Sequence, residues 1–251
     1  VPPVHVAVAD HIATITIAPP DGGYDRAFLD ALATAAADVG GREDVRAVVL
    51  RSEGAFGACW SAEALAEPIG IPGLPHLASG IDAVAAVQQP VIAAVRGQAH
   101  SIGLELALAC DIRIADVGAT FALAETVGGG VPMGGGTQRL PRAVGRAQAL
   151  RLILLGEEID AAEALRIGLV SRVVPSEGLD AAAHAIAATI ASRGPIATRL
   201  AKEAVHRGVE MPLGQALRYE LDLTVILQST ADRAEGVRAF AEKRPPRFIG
   251  R

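Results

Sequence analysis

The sequence predicts a mixed α/β fold closed by a helical tail, on three observations. Compact apolar segments of strand length alternate with helical stretches through the first two thirds of the chain, which is βα alternation. From residue 178 onward the pattern is almost wholly helical. About half of the 251 residues are apolar (51%) but only 3% are aromatic, so the large core must be built from small and branched aliphatic side chains with backbones brought close together.

The elements follow in order. HVAVADHIATITIAP alternates with period two on either side of Asp10-His11, which predicts an N-terminal hairpin. Residues 28 to 39 form an Ala-rich helix, VRAVVLRS (45 to 52) a strand, and PVIAAVRG (90 to 97) another. GLELALAC is a short helix, DIRIAD (111 to 116) the strand after it, and ATFALAE leads into a glycine-rich loop. RAQALRLILLG and DAAEALRIG are helical, the latter with Asp160 and Glu163 at capping-box spacing. Residues 178 to 193, 196 to 207 and 213 to 241 all carry helical periodicity, punctuated by Gly194-Pro195 and Met211-Pro212. Each tail helix has an apolar face that must bury against the core or a second subunit, so an oligomer is expected.

Composition excludes some functions. The net charge of −5 is spread along the chain with no basic stripe, giving no electrostatic case for nucleic acid. Cys59 and Cys110 are isolated thiols without metal-ligand spacing, and no apolar run reaches the roughly 18 residues that cross a bilayer. The expectation is a cytoplasmic protein without a metal.

One stretch raises a chemical question. SIGLELALACDIRIAD (101 to 116) carries a carboxylate, Glu105, in a helix that otherwise reads as buried, and a buried charge needs a partner or a reaction. Gly103 lies at the start of that helix, where free N–H groups favour negative charge. Glu125 follows after a helix and a strand that reverse the path, so the two carboxylates can meet across one cavity. Each also has a plainer reading: Glu105 paired with a core arginine, Glu125 capping the approach to the glycine loop. GGGVPMGGGTQRLPR (128 to 142) matches neither nucleotide-binding glycine motif and reads as a tight loop permitting close backbone approach. AHSIG (99 to 103) is near the serine-hydrolase elbow, but a triad through Ser101 is completed only by an arbitrary choice of Asp180 with His184 or His206.

Four blocks, PVIAAVRGQAHSIGLELALACDIRIAD, FALAETVGGGVPMGGGTQRLPRAVG, EEIDAAEALRIGLVSRVVP and EGVRAFAEKRPPRF, resemble the crotonase superfamily of enoyl-CoA hydratases and isomerases, in the family's order. The resemblance implies a crotonase-like spiral of ββα units over residues 1–190 and a helical trimerisation region over 191–251, assembled as a homotrimer or dimer of trimers. It implies an acyl-CoA or enoyl-CoA thioester as substrate, with coenzyme A part of that substrate and no separate cofactor, and a place in fatty-acid metabolism. Glu105 and Glu125 align with the hydratases' two catalytic glutamates, Glu105 toward the water and Glu125 toward the α-carbon. The backbone N–H groups of Ala58 and Ile102 fall at the oxyanion-hole positions, and Cys59, Trp60, Ser61, Gly103 and Lys243 at substrate-binding ones. Cys59, Trp60 and Ser61 stand where the family usually has Gly, a small residue and Asp, Ser61 being, like Asp, a good N-cap for a following helix. IAPPDGGYDRAFLDAL lacks the R-x-N-A-L segment that helps shape the CoA site. The implied activity is hydration of a 2-enoyl thioester. The alternatives are isomerisation or other acyl-CoA chemistry at the same site, acyl-CoA binding without turnover, and, remotely, Ser101 hydrolase chemistry.

Overall fold

A computed structural model describes residues 3–20, 23–57, 59–61 and 78–251. The chain opens with the expected hairpin, β1 (Val4–Ala9) antiparallel to β2 (Ile12–Ile17). Its turn residues Asp10 and His11 have φ of 50° and 65°, the left-handed pair whose twist matches a two-residue hairpin. α1 (Arg26–Gly40) is N-capped by Asp25, whose carboxylate accepts from the Phe28 N–H. Then come β3 (Ala47–Ser52), α2 (Ser79–Ala86), β4 (Val91–Val95), β5 (Gln98–His100), α3 (Ile102–Leu108), β6 (Ile112–Asp116) and β7 (Thr120–Ala122). A 3₁₀ turn (Glu125–Gly128) precedes α4 (Gly136–Val144), α5 (Arg146–Leu155), β8 (Ile159–Asp160), α6 (Ala161–Arg166) and β9 (Arg172–Val174). The tail is α7 (Leu179–Ala191), α8 (Pro195–Gly208), α9 (Leu213–Gln228) and α10 (Ala231–Ala241).

The larger sheet runs β1-β2-β3-β4-β6-β9, antiparallel at the first pair and parallel thereafter. A smaller sheet, β5-β7-β8, lies one step further along the chain from β4 and β6, and Gly57, just beyond β3, bridges to Ala99 of β5. Each successive pass therefore lays one strand in the large sheet and one in the small layer before turning back. The alternation of side chains along a strand divides the interior in two. Ala13, Ile15, Val48, Leu50, Ala93 and Val95 join the main core with Phe28, Leu29 and Leu32 of α1. Ile12, Ala47, Val49, Ile92, Ala94 and Ile114 face the other way, onto Leu179, Ala183, Ala187 and Ala191, a four-residue stripe of α7 whose small side chains let helix and sheet approach closely.

Three local expectations need correction. The stretch 213 to 241 is two helices, because the Thr230 hydroxyl accepts from the Arg233 N–H and starts a new helix there. The capping box at Asp160 is half formed: Asp160 accepts from the Glu163 N–H, but the Glu163 carboxylate turns to Arg151 and Arg166, which hold it well ionised, down to about 2. The second glycine triplet ends a loop and also begins α4, an element absent from the sequence reading.

The tail is pinned to the core by a lysine. Lys202 of α8 donates to the Val87 and Gln89 carbonyls and pairs with Asp111 at 2.7 Å, with only 12% and 14% of the two side chains exposed. Asp111 in turn accepts from the Val91 N–H at the start of β4. Replacing one partner of so buried a pair strands the other, and Lys202→Met should cost about 3 kcal/mol, read as the drop in urea-unfolding free energy at fixed protein concentration.

Candidate active site

α3 is buried along its entire length, and that burial dictates what Glu105 must do. Its Oε1 accepts two backbone hydrogen bonds, from Gly134 N–H at 2.8 Å and Gly136 N–H at 2.7 Å, while Oε2 is buried without a hydrogen-bond partner among the described residues. The core-arginine reading of Glu105 gives way to this main-chain cradle. Arg139 acts one step removed, donating to the Gly134 carbonyl and to Asp82 and so bracing the loop. The two glycines are required by space: a Cβ on Gly134 would lie 2.7 Å from Glu105 Oε2, and one on Gly136 would lie 3.0 Å from Oε1. Loss of hydration pushes the carboxyl up to about 7, against the Gly136 hydrogen bond, with the negative charge of Glu125 raising it further and Gly134 and Arg139 lowering it.

Glu125 opens the 3₁₀ turn after β7. Its Oε1 accepts from the Ser101 hydroxyl at 2.7 Å, and its Oε2 is also buried without a partner among the described residues. Ser101 thus stands between the two acids: its carbonyl accepts from the Glu105 N–H at 3.0 Å while its hydroxyl holds Glu125. The loop from 128 to 135 leaves Glu125, whose carbonyl accepts from Gly130 N–H, and ends on Glu105. Two carboxylates on separate elements are thus linked through Ser101 and through this loop, and the charge on Glu125 raises the titration of Glu105.

A backbone donor lies at the start of the helix that holds Glu105. Ile102 is the first helical residue of α3, where an N–H has no partner within its helix, and its side chain is fully buried. Gly103 packs so tightly on the preceding loop that a Cβ would sit 2.2 Å from the Gly57 carbonyl oxygen. The same Gly57 accepts from His100 N–H and donates to the Gln98 carbonyl, which ties the 56–57 segment to the strand leading into α3. Ala58 itself lies outside the described residues. The loop is held from the other side by Tyr24, whose hydroxyl donates to the Phe56 carbonyl and whose main chain pairs with that of Cys59 to Ser61. Gly23, at φ 97°, permits this approach, since a Cβ would lie 2.7 Å from the Cys59 carbonyl oxygen.

Comparison with known proteins now adds the decisive observation: the enoyl-CoA hydratase/isomerase family profile matches residues 8–251. The chain belongs to the enoyl-CoA hydratase/isomerase family. An enoyl-CoA hydratase of Bacillus anthracis superposes with a TM-score of 0.94 at 37% identity, covering 99% of this chain and 100% of that one. The (E)-benzylidenesuccinyl-CoA hydratase of Thauera aromatica is 37% identical over 99% of both chains. A Mycobacterium tuberculosis protein named "Probable enoyl-CoA hydratase" is 49% identical over 67% of this chain, and the match spans 65% of that relative's length. The spiral is the crotonase fold of the family.

As a family member, the chain departs from the usual pattern in ways the structure accommodates. Trp60 is only 5% exposed and belongs to the main core, Ser61 is buried with its N–H on the Tyr24 carbonyl, and Cys59 is an exposed free thiol. The helix that Ser61 was expected to cap falls outside the described residues. Lys243 is exposed, just past α10, and no hydrogen bond or ion pair joins it to the glutamates. The Ser101 hydrolase alternative is overturned: Asp180 pairs with Arg51 and Arg96, His206 with Asp111, His184 is exposed, and the Ser101 hydroxyl is committed to Glu125. Sequence reasoning missed the Gly134 and Gly136 N–H donors and the partnership of Ser101. The glycine triplets were the available signal for the first.

Glu105 makes stability depend on pH with a definite sign. An unfolded glutamate titrates near 4.5 and the folded one near 7, so burial costs nothing below 4.5, progressively more up to 7, and about 3 kcal/mol above it. Glu105→Gln removes the titration, and its stability advantage over the natural chain should grow between pH 4.5 and 7 and then level off, measured as the difference in unfolding free energy across that range.

Proposed function

We propose that this chain is an enoyl-CoA hydratase that adds water across the double bond of a 2-enoyl-CoA thioester. The observation that carries the reading is the pair of carboxylates linked through Ser101, each with one anchored oxygen and one buried oxygen that has no hydrogen-bond partner among the described residues. Glu105, as carboxylate, takes a proton from water as the water oxygen bonds to the β-carbon. Glu125, as acid, gives its proton to the α-carbon, and the electron pair of the double bond passes through an enolate on the thioester oxygen. The N–H groups of Ile102 and Ala58 would receive that charge, each such donor contributing roughly 3 kcal/mol. Exchange with solvent then restores the pair, one carboxyl protonated and one ionised, before the next turnover. Moving a double bond needs only one of these acids, so the pair favours hydration. The hydratase names of the Bacillus and Thauera relatives support the same reading.

Crotonyl-CoA should lose its conjugated-thioester absorbance in the presence of the protein, and Glu125→Gln should slow that loss about 10²- to 10⁴-fold. Saturable binding with no loss of absorbance would replace the hydratase by a thioester-binding protein.

We also infer that the tail assembles the chain into trimers or dimers of trimers. Leu213, Leu217, Leu221 and Val225 form one stripe of α9 and are each more than half exposed, as is Phe240 of α10. Sedimentation should give a multiple of three chains, and Leu217→Glu should shift the protein toward monomer.

A further inference from the structure

Ser101 occupies backbone that a serine rarely adopts. At φ 49° and ψ −125° it lies in a region natural to glycine, yet it carries a side chain there. All three of its polar groups are engaged: the N–H on the Ala122 carbonyl at 2.8 Å, the carbonyl on the Glu105 N–H at 3.0 Å, and the hydroxyl on Glu125 Oε1 at 2.7 Å. The first two would survive replacement by glycine, which would also relieve the conformation. Only the third needs the side chain, and strain retained for one contact points to what that contact does.

We propose that Ser101 is a positioning residue for Glu125, resting on the hydratase reading above. Its hydroxyl donates to Oε1 whether Glu125 is ionised or protonated, because a carboxylic acid protonated at Oε2 still offers Oε1 as an acceptor. The transferable proton is thereby confined to Oε2, the buried oxygen without a partner among the described residues, and the carboxylate plane is held against rotation. Among the described residues no other hydrogen bond holds Glu125's side chain, and its main-chain carbonyl is anchored by the Gly130 N–H. Glu105 needs no such device, since two main-chain N–H groups already fix its Oε1. The rate of proton delivery to the α-carbon, and the face to which it is delivered, then depend on one hydroxyl.

The test compares the natural chain with Ser101→Gly and Ser101→Ala on crotonyl-CoA in H₂O and D₂O. Both variants should lose at least about ten-fold in kcat with KM within about three-fold, which is the signature of an interaction used in the transition state rather than in binding. Deuterium at the product α-carbon should fall from one face to a mixture of both. Ser101→Gly should melt at a higher temperature than the natural chain even as it slows, a pairing of signs that a purely structural role for the hydroxyl does not give. Unchanged kcat and single-face labelling in Ser101→Gly overturn the proposal. Should the natural chain itself fail to turn over crotonyl-CoA, the hydratase reading fails separately. The positioning role is then decided by crystal structures of the natural chain and Ser101→Gly: a Glu125 carboxylate that shifts or splits in the variant supports it, and one that stays in place refutes it.

Discussion

The structure around the site is organised by one constraint, the need to bury an ionisable carboxylate at Glu105 without supplying it a countercharge. An arginine would have neutralised the acid and held it ionised. Two N–H groups from a loop hold it instead, and this weaker compensation leaves it titrating near 7. Much of the neighbourhood follows. The loop must come within hydrogen-bond distance, so Gly134 and Gly136 cannot carry side chains, and the loop must be stiff, so Arg139 spans from the Gly134 carbonyl to Asp82. The cation sits behind the loop, where it braces the geometry and exerts only a minor pull on the charge.

The second requirement is that loops from separate passes of the spiral meet at the start of α3. Here backbone contact substitutes for side-chain packing. Gly103 lies against the Gly57 carbonyl, Gly57 exchanges hydrogen bonds with β5, and Tyr24 fastens the far side of the same loop. The scarcity of aromatic residues has its counterpart in this arrangement. At Gly23, Gly103 and Gly134 an added Cβ would lie under 3.0 Å from a backbone or carboxylate atom, and a chain rich in small residues can bring main chain onto main chain.

Most of the architecture was legible because it rests on local pattern. The hairpin, the strands at Ala47–Ser52 and Val91–Val95 and the short helix holding Glu105 were each set by periodicity or by turn residues. The two glutamates were legible as a pair from the resemblance, and Glu105 alone from the cost of burying a charge. What stayed hidden depends on contacts between residues distant in sequence. Gly134 and Gly136 serve an acid about thirty positions earlier, and the Ser101 hydroxyl serves one 24 positions later; no local pattern encodes either. The break at Thr230 was missed for the opposite reason, since helical periodicity runs through it and only the side-chain cap divides it.

The two acids differ in how they are held, and the difference bears on how such a site changes. Glu105 is fixed by main-chain donors that no single side-chain replacement deletes, short of adding bulk at the glycines. Glu125 hangs from a four-residue 3₁₀ turn by a side-chain hydroxyl, one substitution away from release. A carboxylate set by the backbone suits the step that must remain constant, and one set by a side chain suits the step whose geometry follows the substrate. On the hydratase reading these are activation of water, the same molecule in every turnover, and protonation of the α-carbon, whose substituents change with the acyl group. The strain at Ser101 belongs to the second. It lies where a proton must be aimed, and the main chain around the water-activating acid stays relaxed by comparison because glycines occupy its tightest positions.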